Sequence, residues 1–130
     1  MQMIYPVIIH PKGKEGYHWV EVPDLELDTQ GKDLKDCVYM ARDVICLCGT
    51  QLQDQGKAIP QPARLDPPHG PGDIVTLVDV DFDAYRRMND MRTVRKNVTL
   101  PNYLNEMAMK AGLNFSQVLQ EGLKERLGML

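Results

Sequence analysis

The last third of the chain constrains the fold most, because it holds a complete structural unit that is too small to fold alone. In a strand at residues 94–100, Val94, Val98 and Leu100 share one face and polar side chains the other, and Pro101 suits the first turn of a helix. Gly112 ends that helix, and Asn114 and Gln117 form the capping-box pair of a second one. One strand and two short helices bury little core, and a lone strand leaves its backbone groups unpaired. The segment therefore predicts pairing with a second copy of itself.

Two such strands would form an antiparallel ribbon, which has the width of the DNA major groove. One face of the strand carries Arg95, Asn97 and Thr99, and the ribbon would present this set twice. Arginine suits guanine, asparagine suits adenine, and threonine can hydrogen-bond or contact a thymine methyl group. We therefore predict that these three side chains contact DNA bases.

Phosphate contacts are expected from two other places in the same segment. Lys96 lies on the face opposite to the base-contacting one, so its side chain either extends along the ribbon edge or contacts the DNA backbone. The start of the second helix, at Asn114, Phe115 and Ser116, offers backbone N–H groups to a phosphate.

The N-terminal part predicts three strands, a long helix and a fourth strand. Residues 5–10 and 17–22 are rich in β-branched and aromatic side chains, and residues 25–29 alternate leucine or threonine with carboxylates. The simplest arrangement is an antiparallel meander. The fourth strand, at 74–82, follows a proline-rich loop and is expected to return to the same sheet.

The long helix is predicted to begin after Asp33, an N-cap residue, and to end at Gly56. Its apolar residues recur at spacings of three and four, as one stripe that faces the sheet. They are Leu34, Cys37, Val38, Ala41, Ile45, Cys48 and Leu52. Cys46 is expected to lie off this stripe and to be the more reactive cysteine.

Composition and charge limit the class of protein. Residues 1–93 carry 10 Lys and Arg against 15 Asp and Glu, and residues 94–130 carry 5 against 3, so an acidic part precedes a basic one. Three cysteines without a CxxC motif favour a reducing compartment. Neither a membrane span nor a signal peptide is evident, so we expect a soluble cytoplasmic protein.

The acidic residues of the predicted strands raise the question of a metal-dependent nuclease. These residues are Glu21, Asp24, Glu26, Asp28, Asp79 and Asp81. The first strand contains no carboxylate, and the three histidines have no ligand spacing. We interpret the acidic side chains as solvated, or as complementary to a basic partner, and predict no catalytic residue, no metal and no cofactor.

Two sets of motifs resemble known families. Residues 95–101 followed by 111–117 are similar to a ribbon-helix-helix DNA-binding domain. The N-terminal motifs resemble the HicB family of antitoxins, in the family's order: 5–10, 16–25, 29–31 and 56–62. Many relatives carry an arginine where this chain has Phe115, so here a phosphate contact would come from the backbone.

The resemblance implies an α+β protein with a β-β-β-α-β partial RNase H-like domain at 1–83, a connector at 84–93 and a β-α-α ribbon-helix-helix domain at 94–130. In this family the first domain neutralises a HicA-like toxin, an mRNA-cleaving ribonuclease. The second domain binds a palindromic operator and represses the shared operon. The implied assembly is a homodimer through the C-terminal domain, or a tetramer if two dimers join.

Two other hypotheses remain open from the sequence. The N-terminal domain of a ribbon-helix-helix repressor could sense a small ligand or drive oligomerisation, with no toxin involved. A residual nuclease is the third hypothesis, and it requires metal-dependent RNA cleavage by the purified protein.

Overall fold

The computed structural model describes residues 1–129 as two compact units that divide between Met91 and Arg92. Unit 1, before this division, contains four strands, a long helix and a short helix, and unit 2 contains two helices. The mixed α+β class predicted from the sequence is confirmed. Within residues 1–129, no helix combines the length and the apolar character that a membrane span requires.

Unit 1 is built on a four-stranded antiparallel sheet. The strands are β1 (Gln2–Ile9), β2 (His18–Val22), β3 (Leu27–Gly31) and β4 (Ile74–Asp81). Their order is β3-β2-β1-β4, so the predicted meander and the returning fourth strand are both confirmed. The long pairing of β1 with β4 makes β4 an edge strand of the sheet.

The third strand starts later than the sequence predicts. Pro23–Leu25 form a turn of 3₁₀ helix, in which Pro23 fixes the first backbone dihedral. Glu26 then takes a left-handed conformation with a φ of 54°, and β3 begins at Leu27. The alternation at 25–29 is therefore strand-like only in its second half.

Helix α1 (Leu34–Asp54) lies across one face of the sheet. Its predicted N-cap is confirmed, because the Asp33 carboxylate accepts a hydrogen bond of 2.8 Å from the backbone N–H of Asp36. The buried residues of the helix are Cys37, Ala41, Ile45, Cys46, Gly49 and Thr50.

The prediction for two cysteines of α1 was wrong. Cys46 is buried and Cys48 is only partly so, whereas the sequence placed Cys48 in the stripe and Cys46 outside it. The buried face turns along the helix because its second half also packs against the next helix: a Cβ added at Gly49 would lie 2.2 Å from the Phe82 ring. Burial raises the pKa of all three thiols, so Cys46 lacks the thiolate character of a reactive cysteine.

That next helix, α2 (Phe82–Met88), completes unit 1. The Asp81 carboxylate caps it by accepting hydrogen bonds from the backbone N–H groups of Asp83 and Ala84. Phe82 is fully buried, and Tyr85 packs against the core. The segment predicted as a connector, 84–93, thus starts inside a packed helix and includes the division between the two units.

Unit 2 contains α3 (Asn102–Lys110) and α4 (Phe115–Arg126), and Gly112 joins them with a φ of 68°. The sequence predicts a strand at 94–100, but the structure shows no regular element between residues 90 and 101. The physical reason is that a strand requires the hydrogen bonds of a neighbouring strand, and this segment pairs with none in the single chain.

Candidate interaction surfaces

The residues predicted to contact DNA bases lie in the irregular segment at the start of unit 2. Arg95, Asn97 and Thr99 are all exposed, and so is Lys96 between them. Without a strand, their alternation does not define two faces in the single chain. The structure therefore leaves these side chains accessible but does not arrange them as a ribbon.

The start of α4, unlike the irregular segment at 94–100, has most of the local structure that the sequence predicts. The side-chain oxygen of Asn114 accepts a hydrogen bond of 3.1 Å from the backbone N–H of Gln117, as predicted. The reciprocal half of the capping box is absent, because the Gln117 amide donates instead to Glu121 at 3.2 Å. Phe115 and Ser116 are exposed, and their first-turn N–H groups have no acceptor within the helix.

Unit 2 exposes most of its apolar side chains. None of residues 92–129 is buried, and the least exposed of its large apolar residues, Leu119, still has 38% of its surface accessible. The apolar face of unit 2 is defined here as the exposed apolar side chains of its helices and the turn between them: Leu104, Met107, Leu113, Phe115, Val118, Leu119, Leu123 and Leu127. Val94, Val98 and Leu100 of the irregular segment are exposed as well. An exposed apolar set of this size on so short a segment is typical of an interaction surface.

The face of the sheet opposite α1, here called the outer face, carries most of the acidic strand residues. Strand pairing places Glu21 beside Asp28, and sets Asp79 and Asp81 opposite β1 residues of the same face. Three exposed apolar side chains share this face: Ile4, Trp19 and Leu77. The outer face thus combines negative charge with apolar contact area, which suits a basic protein partner.

The carboxylates singled out by the sequence have separate local roles. The Asp24 side chain accepts from the backbone N–H of Ala63 at 2.9 Å, and Asp79 pairs with Arg42 at 3.0 Å. The cap of α2 lowers the pKa of Asp81, chiefly through the N–H of Ala84. Within residues 1–129, no group of His, Cys, Asp and Glu side chains could hold a metal ion.

His10, which the sequence did not single out as functional, connects the end of β1 with β2 and with the segment before β4. His10 Nε2 lies 2.6 Å from Glu21 Oε2 on β2, and its Nδ1 lies 2.8 Å from Asp73 Oδ1 before β4. The ring also stacks on Trp19, with centroids 4.8 Å apart. Burial opposes the charge of His10, but the hydrogen bonds and charges of Glu21 and Asp73 outweigh it and raise the pKa of His10.

Only part of this arrangement leaves a signal in the sequence. The pairing of β1 with β2 brings His10 beside Trp19, and that register follows from the strand pattern. Asp73 lies 63 residues further on, after the proline-rich loop, and no sequence period relates it to His10. His18 and His69 take other partners, the backbone oxygens of His10 and Pro67.

The chain resembles known proteins both in its sequence pattern and in its fold. A family model described as the HicB-like antitoxin of bacterial toxin-antitoxin systems matches residues 5–120. A toxin-antitoxin complex from Streptococcus pneumoniae contains a similar chain, with a TM-score of 0.58, 20% identity, and coverage of 97% of this chain and 99% of that one. The antitoxin HicB of Burkholderia pseudomallei is similar with a TM-score of 0.53, 20% identity and 97% coverage of both chains. No curated protein sequence matches significantly.

Proposed function

Because this chain belongs to the HicB-like antitoxin family, we propose that it neutralises a HicA-like, mRNA-cleaving toxin by direct binding and represses its own operon. The observation that carries this proposal is the extent of the family match, which includes nearly all of unit 1, the whole of α3 and the first half of α4. A chain of similar fold occurs in a toxin-antitoxin complex, which supports a protein partner. We assign the chain a regulatory role in the cytoplasm, without catalysis, metal or cofactor.

We assign toxin binding to unit 1, as a partial RNase H-like domain. Residues 1–91 carry 9 Lys and Arg against 15 Asp and Glu, a balance of −6. A toxin that binds RNA requires positive charge at its own surface, so an acidic partner accelerates association and favours the correct complex. The outer face supplies this charge together with the exposed side chains of Ile4, Trp19 and Leu77.

We assign dimerisation to unit 2, as a ribbon-helix-helix domain. Its apolar face is uncovered in the single chain, and residues 94–100 lack a strand to pair with. A second copy meets both requirements at once: the two segments pair as an antiparallel ribbon, and four helices enclose the apolar side chains. Association of two such dimers through unit 1 would produce a tetramer.

DNA binding follows from that dimer. Arg95, Asn97 and Thr99 of both copies would enter the major groove of a palindromic operator, and each good base contact contributes about 1–3 kcal/mol of discrimination. Lys96 would contact the DNA backbone. The residues that begin α4, namely Asn114, Phe115 and Ser116, would hold a phosphate at their N–H groups, and affinity should fall as salt concentration rises.

The experiment that tests the proposed function is co-purification with the adjacent small open reading frame. Both genes are expressed together, only the neighbour is tagged, and the complex is examined by size exclusion with light scattering. We expect a stable complex, and growth arrest when the neighbour is expressed alone. A neighbour that is harmless and binds nothing would contradict the antitoxin assignment and leave a DNA-binding protein with a different N-terminal role.

A further inference from the structure

The open edge of β4 presents a defined set of backbone groups. The N–H of His10 donates to Trp19 on β2, so alternate residues of β1, including Ile8, point toward β2. The residues between them, such as Val7 and Tyr5, therefore point toward β4 and pair with Thr76 and Val78. It follows that the remaining residues of β4 direct their N–H and C=O groups away from the sheet. These residues are Val75, Leu77, Asp79 and Asp81.

Two contacts agree with this assignment. Arg42 of α1 donates through Nε to the backbone oxygen of Asp79 at 2.9 Å, which is possible only if that oxygen faces the open edge. The N–H of Phe82, one residue beyond β4, donates to the backbone oxygen of Met1 at 3.1 Å, as a residue of the inward-pointing set should. These two contacts support the orientation at the start of β1, and the His10–Trp19 hydrogen bond supports it at the other end.

In the part of the chain that the structure describes, the outer edge of β4 is covered by a side chain near Asp79 but is uncovered near Val75 and Leu77. Arg42 covers the strand at Asp79. Among the described residues, none hydrogen-bonds to the outward N–H and C=O groups of Val75 and Leu77. The Leu77 side chain is 50% exposed, and the equally exposed Ile4 lies on the neighbouring strand of the same face. An uncovered edge with apolar side chains is a template for one more strand.

The charge around this edge indicates which strand would fit. Asp79 and Asp81 end β4, and Asp83 follows in the first turn of α2. Arg42 pairs with Asp79 and the N-terminal ammonium pairs with Asp83, yet the Asp79 side chain is still 83% exposed. Residues 1–91 as a whole have a balance of −6, so these ion pairs do not cancel the negative charge of unit 1. A second copy of β4 would bring like charges together, whereas a segment rich in Lys and Arg would bring opposite charges together.

We propose that the toxin adds an extended, basic segment to the open edge of β4, paired with the backbone of Val75 and Leu77. This inference rests on the proposed function, since it assigns the toxin's docking position on unit 1. Main-chain hydrogen bonds would supply affinity, and the alternating side chains of the added strand would meet Leu77 on one face and α1 on the other.

The test is the substitution Leu77→Pro in the full chain, compared with Leu77→Ala. Proline removes the outward N–H and places its ring at the edge, but leaves the bonds to β1 intact because Leu77 lies opposite Pro6 in a pair without mutual hydrogen bonds. Alanine removes the same side chain and keeps the N–H. We expect the Pro variant to bind the toxin at least about tenfold more weakly than the Ala variant.

Amide hydrogen exchange gives a second measurement that does not depend on the folding of any variant. In the wild-type chain, the amides of Val75 and Leu77 should exchange rapidly when free and slowly in the complex, while those of Thr76 and Val78 are slow in both. A toxin complex in which the two edge amides stay unprotected would overturn the inference while leaving the antitoxin function intact. Protection that appears with increasing concentration of the free chain would also overturn it, since a second copy would then occupy the edge. Failure to form any complex contradicts the proposed function itself, and the docking position with it.

Discussion

The two units of this chain differ in whether they bury their own apolar side chains. Unit 1 encloses its own core, in which Tyr5, Val7 and Phe82 are all fully buried. In unit 2, none of residues 92–129 is buried in the single chain, although its apolar side chains follow a helical spacing as regular as that of α1. The difference teaches that a periodic apolar stripe predicts a helix, but not whether the surface that covers it belongs to the same chain.

The two units also carry net charges of opposite sign. Residues 1–91 have a balance of −6, and residues 92–130 carry 6 Lys and Arg against 3 Asp and Glu, a balance of +3. In the proposed function, the acidic unit 1 would bind a basic toxin, and the basic unit 2 would bind DNA as a dimer. The following substitutions test this contrast, from the largest expected effect to the smallest.

Removing a fully buried aromatic ring of unit 1 should destabilise that unit without affecting the other. Phe82→Ala leaves a cavity at a fully buried site, and we expect a loss of about 3–5 kcal/mol in the free energy of unfolding, measured by urea denaturation. Met88→Ala, on the same helix but 87% exposed, is the matched control and should change stability by less than about 0.5 kcal/mol. Similar losses from both variants would contradict the closed core.

Unit 2 should instead respond through association. Leu119→Asn places a polar amide in the apolar face of α4, and we expect the dissociation constant of the dimer to rise about 30-fold or more. Sedimentation or light scattering across a dilution series measures this change. Lys124→Gln, which alters a polar residue of the same helix, is the control. If the Leu119 variant dimerises like the wild type, the apolar face of unit 2 is not the interface.

The close contact between α1 and α2 gives a prediction of intermediate size. Gly49→Ala forces a new Cβ to within 2.2 Å of the Phe82 ring, and overpacking of this kind costs about 1–3 kcal/mol. Adding Phe82→Leu in the same chain supplies space, so the double variant should be less destabilised than the sum of the two single ones. A strictly additive double-mutant cycle would show that the two residues do not meet.

The smallest expected effect is the contribution of His10 to the pH dependence of stability. Its pKa is raised in the folded state, so its contribution to stability is complete below the unfolded value of about 6.5 and disappears as pH rises through the folded pKa. We expect the Tm of unit 1 to fall by a few degrees between pH 6 and pH 9, and His10→Gln to flatten this slope. Asp73, whose pKa is lowered first by the N–H of Gly70 and then by His10, contributes in the opposite direction and loses its effect as pH falls. Equal slopes for both proteins would exclude His10 as the source.

Local sequence signals predicted most of the elements of unit 1. Alternation located the strands, and the capping aspartate located the start of α1, because both depend on neighbouring residues only. The long-range contacts could not be found this way. Asp73 reaches His10 across the proline-rich loop, and the burial of Cys46 depends on where α2 packs, so each requires the folded chain.

Unit 2 shows the other limit of sequence reasoning. The helices, Gly112 and the Asn114 cap were predicted from local signals and are present. The predicted strand at 94–100 is absent from the single chain, in which no neighbouring strand supplies its hydrogen bonds. In the proposed dimer, a second copy would supply them. The DNA-contact residues accordingly stay a prediction, whose geometry depends on the dimer.

The most direct test of the central claim, that the two units perform separate tasks, is a double variant assayed for both. Arg95→Ala with Asn97→Ala removes two predicted base contacts from each copy. Operator affinity is measured by fluorescence anisotropy, and toxin neutralisation by the rate of mRNA cleavage. The account predicts at least about a hundredfold loss of operator affinity with toxin neutralisation unchanged. A folded double variant that loses both activities, or that still binds the operator as tightly as the wild type, would contradict it.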